Sequence, residues 1–345
     1  MRVIVASTYV PLLRGGGVQI VDELVLALRE HGHEVDTVML PFHSHPPEML
    51  EQMLALRLTD LSQSGDRLIA IRTPSYILPH PDKVLWFIHH HRGAYDLWGS
   101  ELGDIPNTAE GRRLRAAIKA TDDRYLPEAK RIYTNSRVVG DRLREFSGLE
   151  SEVLYPPLWK PDGYRCDGYG DFVFYPSRLT LGKRQRLLVE AMAHVRSGVR
   201  AVIAGSPDDP SELTALQALV VERGVQDRVE IVGGWMAQER KEELMATALG
   251  CVYIPFDEDS YGYVSLEAYH SRKPVVTCSD SGGTLEIVED GVTGRVTEPT
   301  PEALAEALDD LHADRAAAAR MGEAGFERMD ELGISWAHVV ESLTA

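Results

Sequence analysis

The stretch GCVYIPFDEDSYGYVSLEAYHS, residues 250–271, holds the fold in miniature. An unbroken apolar run at 250–255 is followed by Asp257, Glu258 and Asp259, then by Gly262 and a segment that starts a helix. Continuous apolar runs are what strands buried on both faces look like, and a helix directly after one makes a βα unit. The same alternation fills most of the chain. Strand-like runs lie at 2–8, 35–40, 67–71, 83–88, 131–134 and 152–155, and a helix at 18–31 spaces Val18, Val21, Leu24, Val25 and Leu28 along one face. Residues 155–171, YPPLWKPDGYRCDGYGD, are rich in Pro, Gly and Asp without periodicity and read as a linker. The pattern then restarts at 171–175 and continues at 200–205, 228–232, 251–255 and 274–278, with a helix at 185–196. The expected fold is α/β, with two Rossmann-like parallel-sheet domains. Near the end, Trp336, Val339, Val340 and Leu343 fall at helical spacing, a stripe that must be buried on one of the two domains.

The bulk numbers agree. A chain of 345 residues is too long for one ordinary core. A formal charge of −17 disfavours nucleic acid and anionic membranes as bulk partners, since both need a positive footprint. Cys166, Cys251 and Cys278 are widely spaced and offer neither a disulfide framework nor a zinc spacing, which points to a reducing cytoplasm. The opening MRVIVASTYVPLL is interrupted by Pro11 and reads as a first strand rather than a leader. No apolar run approaches the ~18–20 residues that span a bilayer.

Five motifs stand where such folds bind ligands, at the carboxyl ends of strands. Gly15, Gly16 and Gly17 follow the first strand and precede a helix, so backbone amides there can approach an anion; the plain alternative is a flexible loop. Ile20 occupies the last glycine position of a dinucleotide fingerprint, which argues against a nicotinamide cofactor. Arg178 and Lys183 flank the loop after the first strand of the second domain and can converge on a diphosphate, or can simply be a solvated pair. In the opening stretch, Gly262 precedes a helix start whose first amides, at Tyr263, Val264 and Ser265, face outward, with Glu267 one turn on. A carboxylate there can take two ribose hydroxyls, with Asp259 on those of a second sugar; a helix cap with dipole-favoured acids is the competing reading. His89, His90 and His91 close the strand at 83–88. Side chains alternate there, so the three cannot share one metal. With Arg92, Tyr95 and Asp96 they suit a sugar or an acceptor hydroxyl. Finally, Gly282 and Gly283 follow a strand and precede Glu286, permitting a close backbone approach.

Together, residues 15–17, the run from Arg178 to Lys183, the acidic loop and helix at 256–271, and SGGTLEIVEDGVTG (281–294) resemble glycosyltransferase family 4, retaining enzymes of the GT-B architecture. The resemblance covers essentially the whole chain in order, and its specificity lies in the combination. It implies two domains facing each other across a cleft: an acceptor-side domain at 1–157, a nucleotide-sugar donor domain at 158–325, and a closing helix at 326–345 that packs back on the first. It implies Glu267 on the ribose, Arg178 and Lys183 on the diphosphate, Gly16 and Gly17 closing over the phosphates, and His89 beside the transferred sugar. It also implies Trp235 near the base, and no metal or other cofactor. The family pairs two Glu with seven residues between them. Here Asp259 holds the first position by count, with Glu258 one residue early. The family often has Gly after the loop Lys, where this chain has Arg184.

The expected activity is transfer of a sugar from a nucleoside diphosphate donor to the hydroxyl of a small natural product or a glycan. Three rivals remain: a metal-dependent transferase using Asp257 and Asp259, a sugar-nucleotide epimerase of the same architecture, and a non-catalytic binding module.

Overall fold

A computed structural model of the chain describes residues 1–11, 16–43 and 48–345. Among these the chain forms two compact units. The first comprises Met1–Pro157 with Ile334–Ala345, and the second Leu158–Gly333.

In the first unit the strands are β1 (Arg2–Tyr9), β2 (Glu34–Pro41), β3 (Arg67–Ala70), β4 (Lys83–Phe87), β5 (Arg131–Thr134) and β6 (Glu152–Val153). They pair in parallel in the order β2-β1-β3-β4-β5-β6. Helices α1 (Gly16–Glu30), α2 (Met49–Leu58), α3 (Ala109–Tyr125) and α4 (Arg137–Ser147) connect them. The apolar run at 152–155 pairs over only two residues, so it is a short edge strand. The local signals are ordinary helix chemistry. Thr108 and Ser136 accept from the Gly111 and Val139 amides as N-caps, and Gly148 ends α4 in the left-handed region at φ 65°.

The second unit contains β7 (Phe172–Pro176), β8 (Arg200–Gly205), β9 (Val229–Gly233), β10 (Gly250–Val252), β11 (Val275–Cys278) and β12 (Gly294–Thr297). Its helices are α5 (Gln185–Met192), α6 (Pro210–Glu222), α7 (Gln238–Thr247), α8 (Tyr263–His270), α9 (Pro301–Ala313) and α10 (Arg315–Glu331). The parallel order is β12-β11-β10-β7-β8-β9. The chain leaves β7 outward to β8 and later returns to the other side of β7 with β10. That reversal makes a crevice at the carboxyl ends of β7 and β10, where doubly wound sheets hold ligands. The loop bearing Lys183 follows β7 and the acidic loop follows β10, so topology alone brings the two motifs together.

The last helix, α11 (Trp336–Thr344), belongs to the first unit. Val339, Val340 and Leu343 are buried, Trp336 meets Trp86 edge-on at 6.2 Å, and Arg67 donates to the carbonyls of Leu343 and Ala345 at 3.1 and 2.8 Å. Residues 326–333, expected with that closing segment, lie in the second unit because α10 continues unbroken to Glu331. No helix among the described residues is long and apolar enough to cross a membrane.

Candidate functional site

Lys183 and Arg184 close a short 3₁₀ turn, Leu181–Lys183, after β7. The Tyr175 hydroxyl donates to the Lys183 carbonyl, fixing the turn against the sheet. The Lys183 ammonium, 14% exposed, donates to the Tyr253 hydroxyl at 2.8 Å and pairs with the Glu258 carboxylate. The next residue adopts φ +55°, a left-handed conformation that favours glycine. Arg184 holds it because its guanidinium is anchored by four hydrogen bonds. It donates to the carbonyls of Ile254 and Pro255 at 2.8 and 2.9 Å and grips Asp280 at 2.7 and 2.8 Å. The fork thus ties the lysine turn to the ends of β10 and β11, and hydrogen bonds offset the backbone strain.

Arg178 opens the same loop, but more loosely. It is about half exposed and meets both Asp208 oxygens at 2.9 Å, while Gln185 donates to its carbonyl at 2.8 Å. Arg178 and Glu258 both act electrostatically on the Tyr253 hydroxyl, whose pKa burial pushes far above its ordinary value. Lys183 touches this tyrosine directly, whereas Arg178 acts on it only at longer range.

The acidic loop is stitched down at several points. The Phe256 amide donates to the Gly182 carbonyl, that of Asp257 to the Asp280 carbonyl, and that of Gly283 to the Glu258 carbonyl. A Cβ on Gly282 would stand 2.4 Å from the Glu258 carbonyl oxygen, and one on Gly283 2.7 Å from the Ser260 Cα. The close approach expected at these glycines is therefore to the protein's own acidic loop.

Gly262 immediately precedes α8, with φ +71° and a would-be Cβ 2.4 Å from the Tyr253 ring. Both facts demand glycine. Gly262→Ala should cost about 1–3 kcal/mol through a forbidden backbone angle and a displaced tyrosine. Denaturant melts would measure it, and a stability unchanged from wild type would contradict this account. Of the three amides expected to face outward here, that of Ser265 is already used, donating to the Gly262 carbonyl at 3.0 Å. Its hydroxyl also turns inward, to the Tyr261 carbonyl at 2.8 Å. The anion-facing reading therefore narrows to Tyr263 and Val264.

One turn on, Glu267 is 95% buried, since its exposure is 5%. Its Oε1 receives Lys241 Nζ at 2.6 Å, and its Oε2 has no hydrogen-bond partner. A buried carboxylate oxygen without a donor costs about 1–3 kcal/mol. It calls for an explanation, and a ligand hydroxyl supplies one. Tyr164 lies alongside. Burial first, then the Glu267 charge and a weaker hydrogen-bonding interaction with that carboxylate, push its pKa upward, and Gln238 donates to its hydroxyl at 3.0 Å. Lys241 and Tyr164 carry no motif, and only the folded chain brings them to Glu267. Trp235, expected beside a base, sits after β9 with 88% of its surface exposed.

In the first unit the histidine cluster needs correction. His90 points into the core rather than toward an acceptor. It packs on Phe87, Tyr95 and Phe146 at 4.9, 4.5 and 5.6 Å, and burial lowers its pKa to about 3. Tyr95 is equally internal, donating to the buried Asp122 at 2.7 Å. Burial raises the Asp122 pKa to about 6, against the two tyrosine hydroxyls, of Tyr76 and Tyr95, that stabilise its anion. His91 is turned to Asp104 at 3.1 Å, and Arg92 pairs with Asp96 at 2.6 Å. His89 differs. Its Nδ1 donates to the His90 carbonyl at 2.6 Å, leaving Nε2 with a lone pair, and burial holds its pKa down to about 4. At neutral pH it is an uncharged hydrogen-bond acceptor. Gly17, the second residue of α1, has room for a Cβ, which would make ordinary contacts of 3.7–3.8 Å with Arg72 and Ile88. Packing therefore does not explain the glycine. Gly16 is the first residue of α1, and Gly15 lies outside the described residues. No group of three or more His, Cys, Asp or Glu is placed to hold a metal among the described residues.

With this geometry in place, the chain can be set beside known proteins. Residues 166–328 match the family model for glycosyl transferases group 1. That group 1 segment covers nearly all of the second unit, including Arg178, Lys183, Gly262 and Glu267. A D-inositol 3-phosphate glycosyltransferase of Mycobacteroides abscessus is 28% identical over 72% of this chain and 61% of its own length. The chain spans between 53% and 61% of the first curated relatives it matches. Among solved structures, the sucrose-phosphate synthase of Thermosynechococcus elongatus aligns with TM-score 0.78 at 20% identity, covering 99% of this chain and 97% of that one. Anabaena Alr3699/HepE, solved with UDP and glucose, aligns with TM-score 0.72 at 19% identity and 99% coverage of both. The two-unit GT-B fold is shared with these proteins. The group 1 match and the relatives' names support a glycosyltransferase enzyme.

Proposed function

We propose that this protein is a retaining glycosyltransferase of family 4, moving a sugar from a nucleoside diphosphate sugar to an acceptor hydroxyl. The observation that carries the reading is the buried Glu267, with one oxygen held by Lys241 and the other without a donor, one turn into a helix that Gly262 precedes. A neighbour of the same fold holds UDP and glucose, which supports a nucleotide donor.

In this reading Glu267 accepts the ribose hydroxyls. Lys183, Arg178 and the Tyr263 and Val264 amides neutralise the diphosphate as it leaves. Glu258 or Asp259 holds the sugar's hydroxyls, Trp235 lies near the base, and Gly16 and Gly17 present amides to the phosphates. His89 accepts a hydrogen bond from the transferred sugar. The bond from the anomeric carbon to the diphosphate breaks, and one from the acceptor oxygen forms on the same face. The acceptor proton passes to the departing phosphate. No metal cofactor takes part.

A thermal-shift panel of UDP, GDP, ADP and dTDP tests this. At about a hundredfold excess over Kd, one nucleotide should add ~2.7 kcal/mol and raise Tm by a few degrees. No shift with any of the four would overturn the reading. With that nucleotide's sugars, turnover should require an acceptor and persist in EDTA. Conversion of donor alone would indicate an epimerase, and loss in chelator would indicate a metal at Asp257 and Asp259.

A further inference from the structure

A second pocket of about 480 Å³ lies in the first unit, between the N-terminal ends of α2 and α3. α2 follows β2, and α3 follows the loop after β4, so the pocket lies at the carboxyl edge of that sheet, where open α/β folds take ligands. Its walls are largely apolar, with Leu50 from α2, Pro106 from the preceding loop, and Leu114 and Ala117 from α3. Pockets of roughly 300–1,000 Å³ with apolar walls and a few polar groups are the usual form of a small-molecule site.

Two further features say what fits. α2 is apolar on both faces. Met49, Met53 and Leu56 are buried, whereas Leu50, Leu54 and Leu58, four residues apart, are 37%, 60% and 75% exposed. An outward leucine row continuous with the pocket wall asks for an apolar chain longer than the pocket itself. The lining also carries charge. Arg113 belongs to it, is exposed, and has no ion-pair or hydrogen-bond partner among the described residues. α3 has five cations against three acids, in a chain of net charge −17. Glu110 also lines the pocket, in the first turn of α3 where the helix dipole favours an acid.

We infer that this pocket binds an amphiphile with an apolar chain and one anionic group, the chain lying along Leu50, Leu114 and Ala117 and the anion on Arg113. Calling this molecule the acceptor rests on the function proposed above; its binding does not. The test is calorimetry of the full chain with decyl phosphate below its micelle concentration, beside ethyl phosphate, which lacks the chain. Decyl phosphate should bind one to one and ethyl phosphate should not. Ala117→Phe, which fills the pocket, and Arg113→Gln should each weaken binding about tenfold. Glu110→Gln should tighten it by removing a like charge. Melting curves establish that each variant is folded. Decyl phosphate bound equally by wild type, Ala117→Phe and Arg113→Gln would overturn the proposal. So would absence of saturable binding, including the case in which the protein sediments only with phosphatidylglycerol vesicles and the leucine row is a bilayer contact. If decyl phosphate binds while no nucleotide shifts Tm, the pocket stands and the glycosyltransferase reading falls.

Discussion

Lys183→Ala should lower kcat/KM by about 10²–10³, or ~2–4 kcal/mol, the cost of deleting one preorganised donor from a site where negative charge develops. The structure gives reason to expect the larger loss here rather than at Arg178. Lys183 is 14% exposed and held by Tyr253 and Glu258, so its charge acts through little solvent. Arg178 and its partner Asp208 are about half exposed, and such pairs are worth only about 0–1 kcal/mol because water and salt screen them. Arg178→Ala should therefore cost about tenfold or less. Folding provides the control. Glu258 is 30% exposed and can rehydrate when Lys183 is gone, so stability should change by no more than about 1 kcal/mol. Steady-state rates beside denaturant melts separate the two effects. A Lys183→Ala enzyme within threefold of wild type would remove the lysine from the diphosphate site.

Much of this was legible in the chain, for a physical reason. Parallel strands covered on both faces, such as VVTC at 275–278, keep a continuous apolar signature, and βα punctuation then places loops at strand ends without further information. Lys183 and the acidic loop could be named because each sits directly after such a strand. What sequence did not give is direction and partnership. His89 and His90 are adjacent and chemically identical, yet one offers a lone pair and the other fills an aromatic core. That difference depends on Phe146, which lies on another element. Gly282 and Gly283 do lie at a strand's carboxyl end, but what approaches them is the acidic loop, a contact across more than twenty residues. Arg184 looked like a departure from a family glycine. Its left-handed backbone shows the same geometric demand met by a different residue, at the expense of a guanidinium spent on structure.

The same limit hid Lys241, and it sets the second large effect. Lys241 lies in a charged run, ERKEEL at 239–244, where every cation looks solvated, and its partner is 26 residues further on. Glu267→Ala should raise the donor Kd by about 10–100-fold, since a hydrogen bond to a charged group is worth ~1.5–3 kcal/mol. kcat at saturating donor should change far less, because ribose contacts are made equally in ground and transition states. Lys241→Ala tests the arrangement from the other side. It leaves a buried carboxylate without its cation, a loss of up to ~3–5 kcal/mol, lessened here because Lys241 is 24% exposed. Lys241→Arg should restore much of both stability and donor affinity, as an ion pair does not need the lysine specifically. A purely structural Lys241 would move Tm alone. A positioning Lys241 moves Tm and donor Kd together while kcat holds, and nucleotide affinity unchanged in both Glu267→Ala and Lys241→Ala would sink the ribose assignment.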